Sequence, residues 1–517
     1  MSTQKATGFH GHRNKKKTTG EKSLRAALVL CLMAMGILAF SGCSAGPDYA
    51  RPSVTVPSRY KETAGWKIAR PAETAMRGQW WRLYHDPLLD SLEAGVNISS
   101  QTIIQAEARH RQALALVREA RAGYFPVVTA GASYTRERSA SGFVQSAAVP
   151  SAPASTVSSY FLPVDAGWDI DVWGRVRRLV EASRAEAKAS EADIESARLS
   201  VQTAVAQDYF QLRTLDTEER IFSGTIKNYR QSLKITENRY ASGIASSADV
   251  LQAETQLRTT QAQAIDIGVL RAQLEHAIAL LIGKPASDFS IPPHPLAGHP
   301  VLPVVPAGLP SGLLERRPDI AAAERLVAAA NARIGVAKAA FYPSVTLNGS
   351  AGFRSSSFFD WLSWPSRFWS VGPAIAETVF EGGLRRALTE DARAAYDANV
   401  AFYRQTVLAA FGQVEDNLAA LRILGDEARA QDRAVKASAR TVSVVTNQYK
   451  AGVAAYLDVI AAQTARLANE KAAAQIMGSR LTASVLLIKA LGGGWNVSEI
   501  GIGNTQAPGS GPGMRKR

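Results

Sequence analysis

The chain has 517 residues, a formal net charge of +14, 46% hydrophobic residues and only two cysteines. Residues 1–42 alone hold seven Lys/Arg and one Glu, and the remaining charge is spread along helical stretches as solvated face, which argues against nucleic acid. Both cysteines, Cys31 and Cys43, are N-terminal, so the body carries neither a disulfide framework nor a thiolate metal site.

Lys15, Lys16, Lys17, Lys22 and Arg25 precede an apolar run from Ala26 to Phe40. That length suits an export signal and is short for a membrane-spanning helix. The run ends at Leu38-Ala39-Phe40-Ser41-Gly42-Cys43, where small residues before a cysteine resemble a bacterial lipobox, although Phe40 stands where the pattern prefers leucine. The resemblance implies cleavage after residue 42, an S-diacylglycerol on the Cys43 thiol and an N-acyl chain on its freed amine. Two or more acyl chains anchor stably, at about 0.8 kcal/mol per buried methylene. Ser44 is not the aspartate of an inner-membrane retention signal, so the mature chain is expected at the outer membrane.

Residues 43–86 read as a lipid-anchored, extended leader with Pro52, Pro57 and Pro71. The Trp80-Trp81 pair reads as packing of this leader on the helical body or as a ligand platform. Asp86, Pro87 and Leu89 open a helical stretch to about Tyr124. A first repeat is expected over 87–284, a Pro-rich linker over 285–312, a second repeat over 313–495 and a disordered tail over 496–517. Pro126 and Pro343 each precede alternating segments, about 127–135 and 344–353, with return strands at 160–173 and 367–380. In the clearest, Tyr160, Leu162, Val164, Ala166, Trp168, Ile170 and Val172 share a face opposite Asp165, Asp169 and Asp171. Ten-residue strands with one apolar and one polar face match an outer-membrane barrel wall. Four strands cannot close a barrel, since small filled barrels use about eight, so the sheet stays open or several chains share it.

No proline lies between Pro163 and Pro285 or between Pro373 and Pro508. Proline costs about 3 kcal/mol inside a helix, so these gaps can hold long helices. One helix over 180–240 would be roughly 90 Å long and must pack side by side with others. Inside each gap stands the same loop: Asn238-Arg239-Tyr240-Ala241-Ser242-Gly243 through Asp249-Val250, and Asn447-Gln448-Tyr449-Lys450-Ala451-Gly452 through Asp458-Val459. The copies lie 209 positions apart, and the same offset carries Gly283 onto Gly492. A whole hairpin unit is duplicated, with Gly243 and Gly452 relaxing the turns. Leu313-Leu314-Glu315-Arg316-Arg317-Pro318-Asp319-Ile320 opens a further helix with proline in its first turn.

The chemistry of an enzyme is missing. There is no H-E-x-x-H, Walker loop, G-x-S-x-G or strand-borne G-x-G-x-x-G, and no histidine pair at ligand spacing. No catalytic residue, metal site or cofactor is expected beyond the lipid on Cys43.

The lipobox, the Gly46-Pro47-Asp48-Tyr49 leader, Arg316-Arg317-Pro318-Asp319-Ile320 and the doubled Tyr-x-x-Gly-x-x-x-x-x-Asp-Val turn together resemble the TolC-like outer-membrane efflux factors, in their NodT-type lipoprotein branch. The resemblance covers about residues 43–495. It implies a mostly helical chain with a membrane β-barrel portion: long antiparallel hairpins forming a periplasmic α-barrel, and four strands contributed to a twelve-stranded barrel shared by a homotrimer. It implies a passive exit duct for small molecules, served by a periplasmic adaptor and a proton-driven inner-membrane pump. Gly243, Ile244, Gly452 and Val453 would be the adaptor-facing tips, and Asp249, Tyr449, Leu457 and Asp458 the periplasmic gate. Ala454 and Ala461 replace an arginine and a carboxylate that other members use there. Asp249 and Asp458 also stand one turn into a helix, where a carboxylate stabilises the N-terminus by about 0.3–1 kcal/mol, and capping is compatible with gating. The same architecture could serve type I protein secretion, and a pore-free coiled-coil lipoprotein is the structural alternative.

Overall fold

Residues 44–62, 78–138, 156–296, 302–303 and 310–495 are described by the structure, a computed structural model. The expected signal 1–42, Cys43, the expected tail 496–517 and much of the expected linker lie outside them. Two compact units divide the chain: one draws on Met1–Tyr49, Leu116–Ser183 and Ala329–Tyr396, the other on Ala50–Ala115, Arg184–Ala328 and Asp397–Arg517.

The first unit is built on one antiparallel sheet. Its strands are β1 (Val127–Ala130), β2 (Ser133–Arg138), β3 (Thr156–Asp169), β4 (Ser344–Ser355) and β5 (Arg367–Ala376), in the order β1-β3-β4-β5 with β2 also on β3. β1 and β2 occupy a single strand position, because Val127 faces Gly167 and Ser133 faces Phe161 in one continuous register. The one strand expected over 127–135 is therefore interrupted at Gly131-Ala132 and resumes to Arg138. The cause lies on the partner strand: the Gly131 N–H donates to the Pro163 carbonyl at 3.0 Å, and Pro163 has no N–H to return.

Register separates the two faces. Val164, Ala166 and Trp168 lie opposite Ala351, Gly349 and Leu347, while Asp165 and Gly167 lie opposite Ser350 and Asn348. Alternation then makes the first set one apolar face and the second a polar one. On the polar face, the Phe161 and Phe368 rings stack at 5.3 Å. Gly352 stands between their strands, and a side chain there would collide with the Leu162 carbonyl.

The strand expected to reach residue 173 stops at Asp169. Asp171 instead caps a helix, its carboxylate accepting from the Val176 and Arg177 N–H groups, each at 2.9 Å. Trp173 stacks on Tyr342 at 4.7 Å and donates from its indole to the Pro343 carbonyl at 2.7 Å. The leader enters this unit. Ala45 donates to the Trp173 carbonyl at 3.0 Å, and Arg178 holds the Ala45 carbonyl at 3.1 Å and the Asp48 carboxylate at 3.0 Å.

The second unit is helical. Its elements include α1 (Pro87–Ser99), α2 (Gln101–Ala122), α3 (Arg175–Ala241), α4 (Ser247–Leu281), α5 (Pro318–Ala339), α6 (Leu384–Lys450) and α7 (Tyr456–Ala490), of which α2, α3, α5 and α6 begin or end in the first unit. The two proline gaps thus hold one 67-residue and one 35-residue helix each. The helical stretch expected from 87 to 124 breaks at Ser100, whose backbone is extended. Gly283 packs against that break, leaving no room for a Cβ beside the Ser99 carbonyl. Gly492 packs in the same way against the Arg316 carbonyl. This close approach is the physical reason the pair recurs at the 209-residue offset.

Arg317 then ties the second repeat together, clasping Asp319 through two bonds and donating to Gln413 at 2.8 Å and the Ala490 carbonyl at 3.2 Å. In the first repeat Asp216, fully buried, receives Arg213 and Arg271, each at 2.8 Å, and the His294 N–H at 2.9 Å. That network fastens residues 291–296 onto α3 and α4. The leader continues along α6, with Lys61 and Glu62 N–H groups on the Glu415 carboxylate at 2.6 and 3.0 Å.

Candidate functional site

Both hairpin tips end their long helix in the same way. Gly243 N–H donates to the Tyr240 carbonyl at 2.9 Å and Ile244 N–H to the Arg239 carbonyl at 2.8 Å. Gly452 and Val453 repeat this on Tyr449 and Gln448 at 3.0 and 2.9 Å. This double bond is the Schellman arrangement, and it needs a left-handed residue, supplied by Gly243 at φ +74° and Gly452 at φ +79°. Folding the chain back on two bonds throws the next side chain outward. Ile244 is 65% exposed and Val453 79%. Both turns thus present a solvated apolar side chain.

The expected gate residues divide into two groups. Asp249 and Asp458 serve their own helix ends: Asp249 accepts from the Ser246 N–H at 3.0 Å, and Asp458 from the Ala455 N–H at 3.1 Å. The Ser246 hydroxyl accepts in return from the Asp249 N–H at 3.2 Å, whereas Ala455 has no side-chain oxygen and the Asp458 N–H goes to its backbone carbonyl at 3.2 Å. Leu457 is 62% exposed.

Tyr449 is buried, and its hydroxyl meets Thr236 Oγ1 at 3.4 Å. The structure forms no Asp249–Tyr449 hydrogen bond among the described residues. Tyr449 instead packs on Tyr456, ring to ring at 5.3 Å, with Ala253 and Val459 completing the cluster. Burial, and secondarily Tyr449, pushes the Tyr456 hydroxyl up to about 12, so it stays neutral at physiological pH.

Arg239 joins the hairpins at their tips, and sequence reasoning missed it. Its guanidinium donates to the Lys450 carbonyl at 3.1 Å and lies 4.8 Å over the Tyr449 ring. One cation from α3 therefore caps the C-terminus of α6 and covers its aromatic. Further along, Gln463 bonds Ser232 at 3.0 Å, and Gln256 bonds Tyr229 and Thr464 at 3.2 and 3.1 Å. Arg239 and Tyr456 both sit inside the doubled loop. The signal that could have found them is that neither recurs: Gln448 replaces the arginine, and Ser247 replaces the tyrosine.

The sheet presents a second unfinished surface. Among the described residues, neither β1–β2 nor β5 has a partner on its outer edge. Trp369 and Ile375 on β5 are 76% and 73% exposed.

Comparison with known proteins bears on both surfaces. The profile of the outer membrane efflux protein family matches residues 96–284 and 309–493. The toluene efflux pump outer membrane protein TtgC of Pseudomonas putida is 31% identical over 480 residues, covering 92% of this chain and 98% of that protein. The pyoverdine export outer membrane protein OpmQ of Pseudomonas aeruginosa is 29% identical over 468 residues, covering 90% and 97%. The solved outer-membrane channel OprN superposes with a TM-score of 0.81 at 31% identity, over 88% of this chain and all of that one.

Proposed function

The chain belongs to the outer membrane efflux protein family, and from that premise we propose that it is the outer-membrane exit duct of a tripartite efflux system. The observation that carries this reading is the sheet. It has four strand positions, two unpartnered edges, one apolar face and one polar face. An edge left bare exposes a row of backbone donors and acceptors, which cannot persist in a lipid bilayer. Edge-to-edge pairing among three copies closes twelve strands, with the apolar face toward lipid and Asp165, Asn348 and Ser350 toward the lumen.

The long helices of the same copies would line the periplasmic conduit. A periplasmic adaptor would dock on Ile244 and Val453, and a proton-driven inner-membrane pump would supply energy. Asp249, Tyr449, Leu457 and Asp458 remain the proposed aperture, closed until adaptor binding favours the spread state; only preferential binding to that state can open it. The lipidated Cys43 would precede Ser44, which packs against Gly174 at the strand-to-helix junction. The relatives' names carry toluene in one case and pyoverdine in the other at nearly equal identity, so this chain's own cargo is left to the choice of pump in this reading.

The test is single-channel conductance of the purified chain in planar bilayers, with its oligomeric mass in detergent. Discrete pores from a trimer are expected. A non-conducting monomer overturns the duct.

A further inference from the structure

The chain enters and leaves the sheet through helices at one end, so the connections from β2 to β3 and from β4 to β5 mark the other end. The duct reading places that end at the outer leaflet. Register assigns each charged side chain there to a face. Tyr134, Arg136 and Arg138 on β2 lie opposite Tyr160, Ser158 and Thr156, so all three share the apolar face. The Tyr134 and Tyr160 rings pack there at 4.8 Å. Arg367, the first residue of β5, lies opposite Phe353, which lies opposite Leu162, and so stands on the same face. Glu137 and Arg354 alternate to the polar face, where the Arg354 guanidinium lies 5.8 Å from the Phe161 ring.

Three arginines thus share the apolar face without an acid to balance them. None of Arg136, Arg138 and Arg367 forms an ion pair among the described residues. Residues 139–155 contain no Asp or Glu, and residues 356–366 contain only Asp360, which forms no ion pair among the described residues either. The β4–β5 turn is otherwise rich in aromatic side chains. Phe358 and Trp361 each pack on Tyr160 at 5.6 Å, and Phe359 and Leu362 are exposed. The Arg367 guanidinium lies 3.6 Å over the exposed Trp364 ring, a stack that orients its plane without using its N–H donors. Aromatic rings favour the bilayer interface, and arginines beside them reach toward headgroups rather than acyl chains.

We propose that these arginines bind the phosphate of an outer-leaflet lipid headgroup, a phosphorylated glycolipid of the lipid A type. The proposal rests on the shared-barrel reading: pairing β5 of one copy with the β1–β2 edge of the next puts Arg367 and the next copy's Arg136 and Arg138 on the two sides of one seam. Phosphate oxygens accept the forked guanidinium donors in pairs, while the acyl chains lie against Tyr134, Tyr160 and Trp369 on the same face. A zwitterionic headgroup would bring a further cation to a surface that already carries unbalanced positive charge.

Native mass spectrometry of the detergent-purified full chain, titrated with diphosphoryl lipid A, tests this, because one spectrum reads oligomeric mass and lipid adducts together. One lipid A per seam is expected, with dephosphorylated lipid A and phosphatidylcholine binding at least about tenfold more weakly. The Arg136→Gln/Arg138→Gln double variant should lose at least about tenfold in affinity, and Arg354→Gln, on the opposite face, should lose none. Arg367→Gln reads the seam from its other side and remains decisive if the double variant does not form a trimer. Inorganic phosphate should displace the lipid only in large excess, and displacement at equal concentration would make this a free-anion site and overturn the lipid assignment. A trimer that takes up no lipid A, or takes up the dephosphorylated form as well, overturns the proposal and leaves the duct standing. So does unchanged affinity in a trimeric variant, or an equal loss in Arg354→Gln. A monomer overturns the duct reading, and the seam with it.

Discussion

Replacing Arg239 with alanine removes one of the links between the two hairpins of one chain, the one made at the tip itself. The side chain supplies a charged hydrogen bond to the Lys450 carbonyl at 3.1 Å and a cation–π contact at 4.8 Å from the Tyr449 ring centre. A hydrogen bond from a charged group is worth about 1.5–3 kcal/mol net, and a cation–π contact at a half-exposed site about 0.5–1 kcal/mol. Allowing for overlap between the two, the tip loses about 2–3 kcal/mol. That shifts the balance between joined and separated hairpins by roughly 30- to 150-fold, at tenfold per 1.4 kcal/mol. If separation of the hairpins widens the aperture, Arg239→Ala raises conductance in planar bilayers and admits large antibiotics to cells. Arg239→Lys, which keeps the charge but loses the planar fork, should fall between. Wild-type conductance from an intact Arg239→Ala trimer refutes the reasoning, because the tie would then hold nothing that gates.

Three other perturbations follow from the same structure. Asp216→Ala strands the buried Arg213 without its counter-ion, leaves Arg271 with Glu275 alone, and should cost about 3–5 kcal/mol, read as a fall in Tm and as proteolysis near residues 291–296. Glu93 is fully buried with both carboxylate oxygens unpartnered, and burial, with Asp90 adding to it, holds its pKa well above the usual 4.5. The folded chain therefore keeps a proton that the unfolded chain releases, so stability falls as pH rises above the ordinary carboxyl range. Glu93→Gln should flatten that decline and raise Tm at pH 8, and an unchanged calorimetric pH profile would count against the assignment. Pro163→Val restores an N–H opposite Gly131 and should fuse β1 with β2, adding about 0.5–1.5 kcal/mol to the sheet, measured as a higher temperature for heat-modified migration on gels.

What the sequence made legible was whatever is decided locally. The proline gaps marked the two long hairpins, and the glycines marked their turns, because one residue's φ settles each. Strand alternation similarly placed the faces of β3 and β4. Two of the errors involve a distant partner, and the third a side chain that serves the element after its own. Pro163 interrupts the strand at Gly131, a pairing that only register reveals. Ser100 breaks a helix with neither glycine nor proline nearby, and the close neighbour is Gly283. Asp171 ended a strand by capping a helix, where its place in an alternating run read as one more polar strand position. At the tips, Asp249 and Asp458 were open to two roles, and their bonds to Ser246 and Ala455 give the capping role its geometry.

The two tips are duplicates that have diverged in what holds them. The first has a complete capping box, with Ser246 and Asp249 each satisfying the other's backbone. The second keeps only the Asp458 side-chain half, with the Asp458 N–H on the Ala455 carbonyl instead of a side-chain oxygen, and exchanging serine for alanine at an N-cap costs a helix about 0.5–2 kcal/mol. The second hairpin instead has Tyr456 where the first has Ser247, and receives Arg239, both of which act between helices rather than within one. Its stability at the turn therefore depends on staying docked against α3, whereas the first tip is largely self-sufficient. A hairpin stabilised by its own caps survives displacement; one stabilised by docking contacts has two distinct states, in place and released. If the aperture opens by movement of one hairpin, the second is the one whose sequence has given up local stability for contacts that a partner can break. That makes Arg239 and Tyr456, rather than the capping aspartates, the residues through which a docked partner would act.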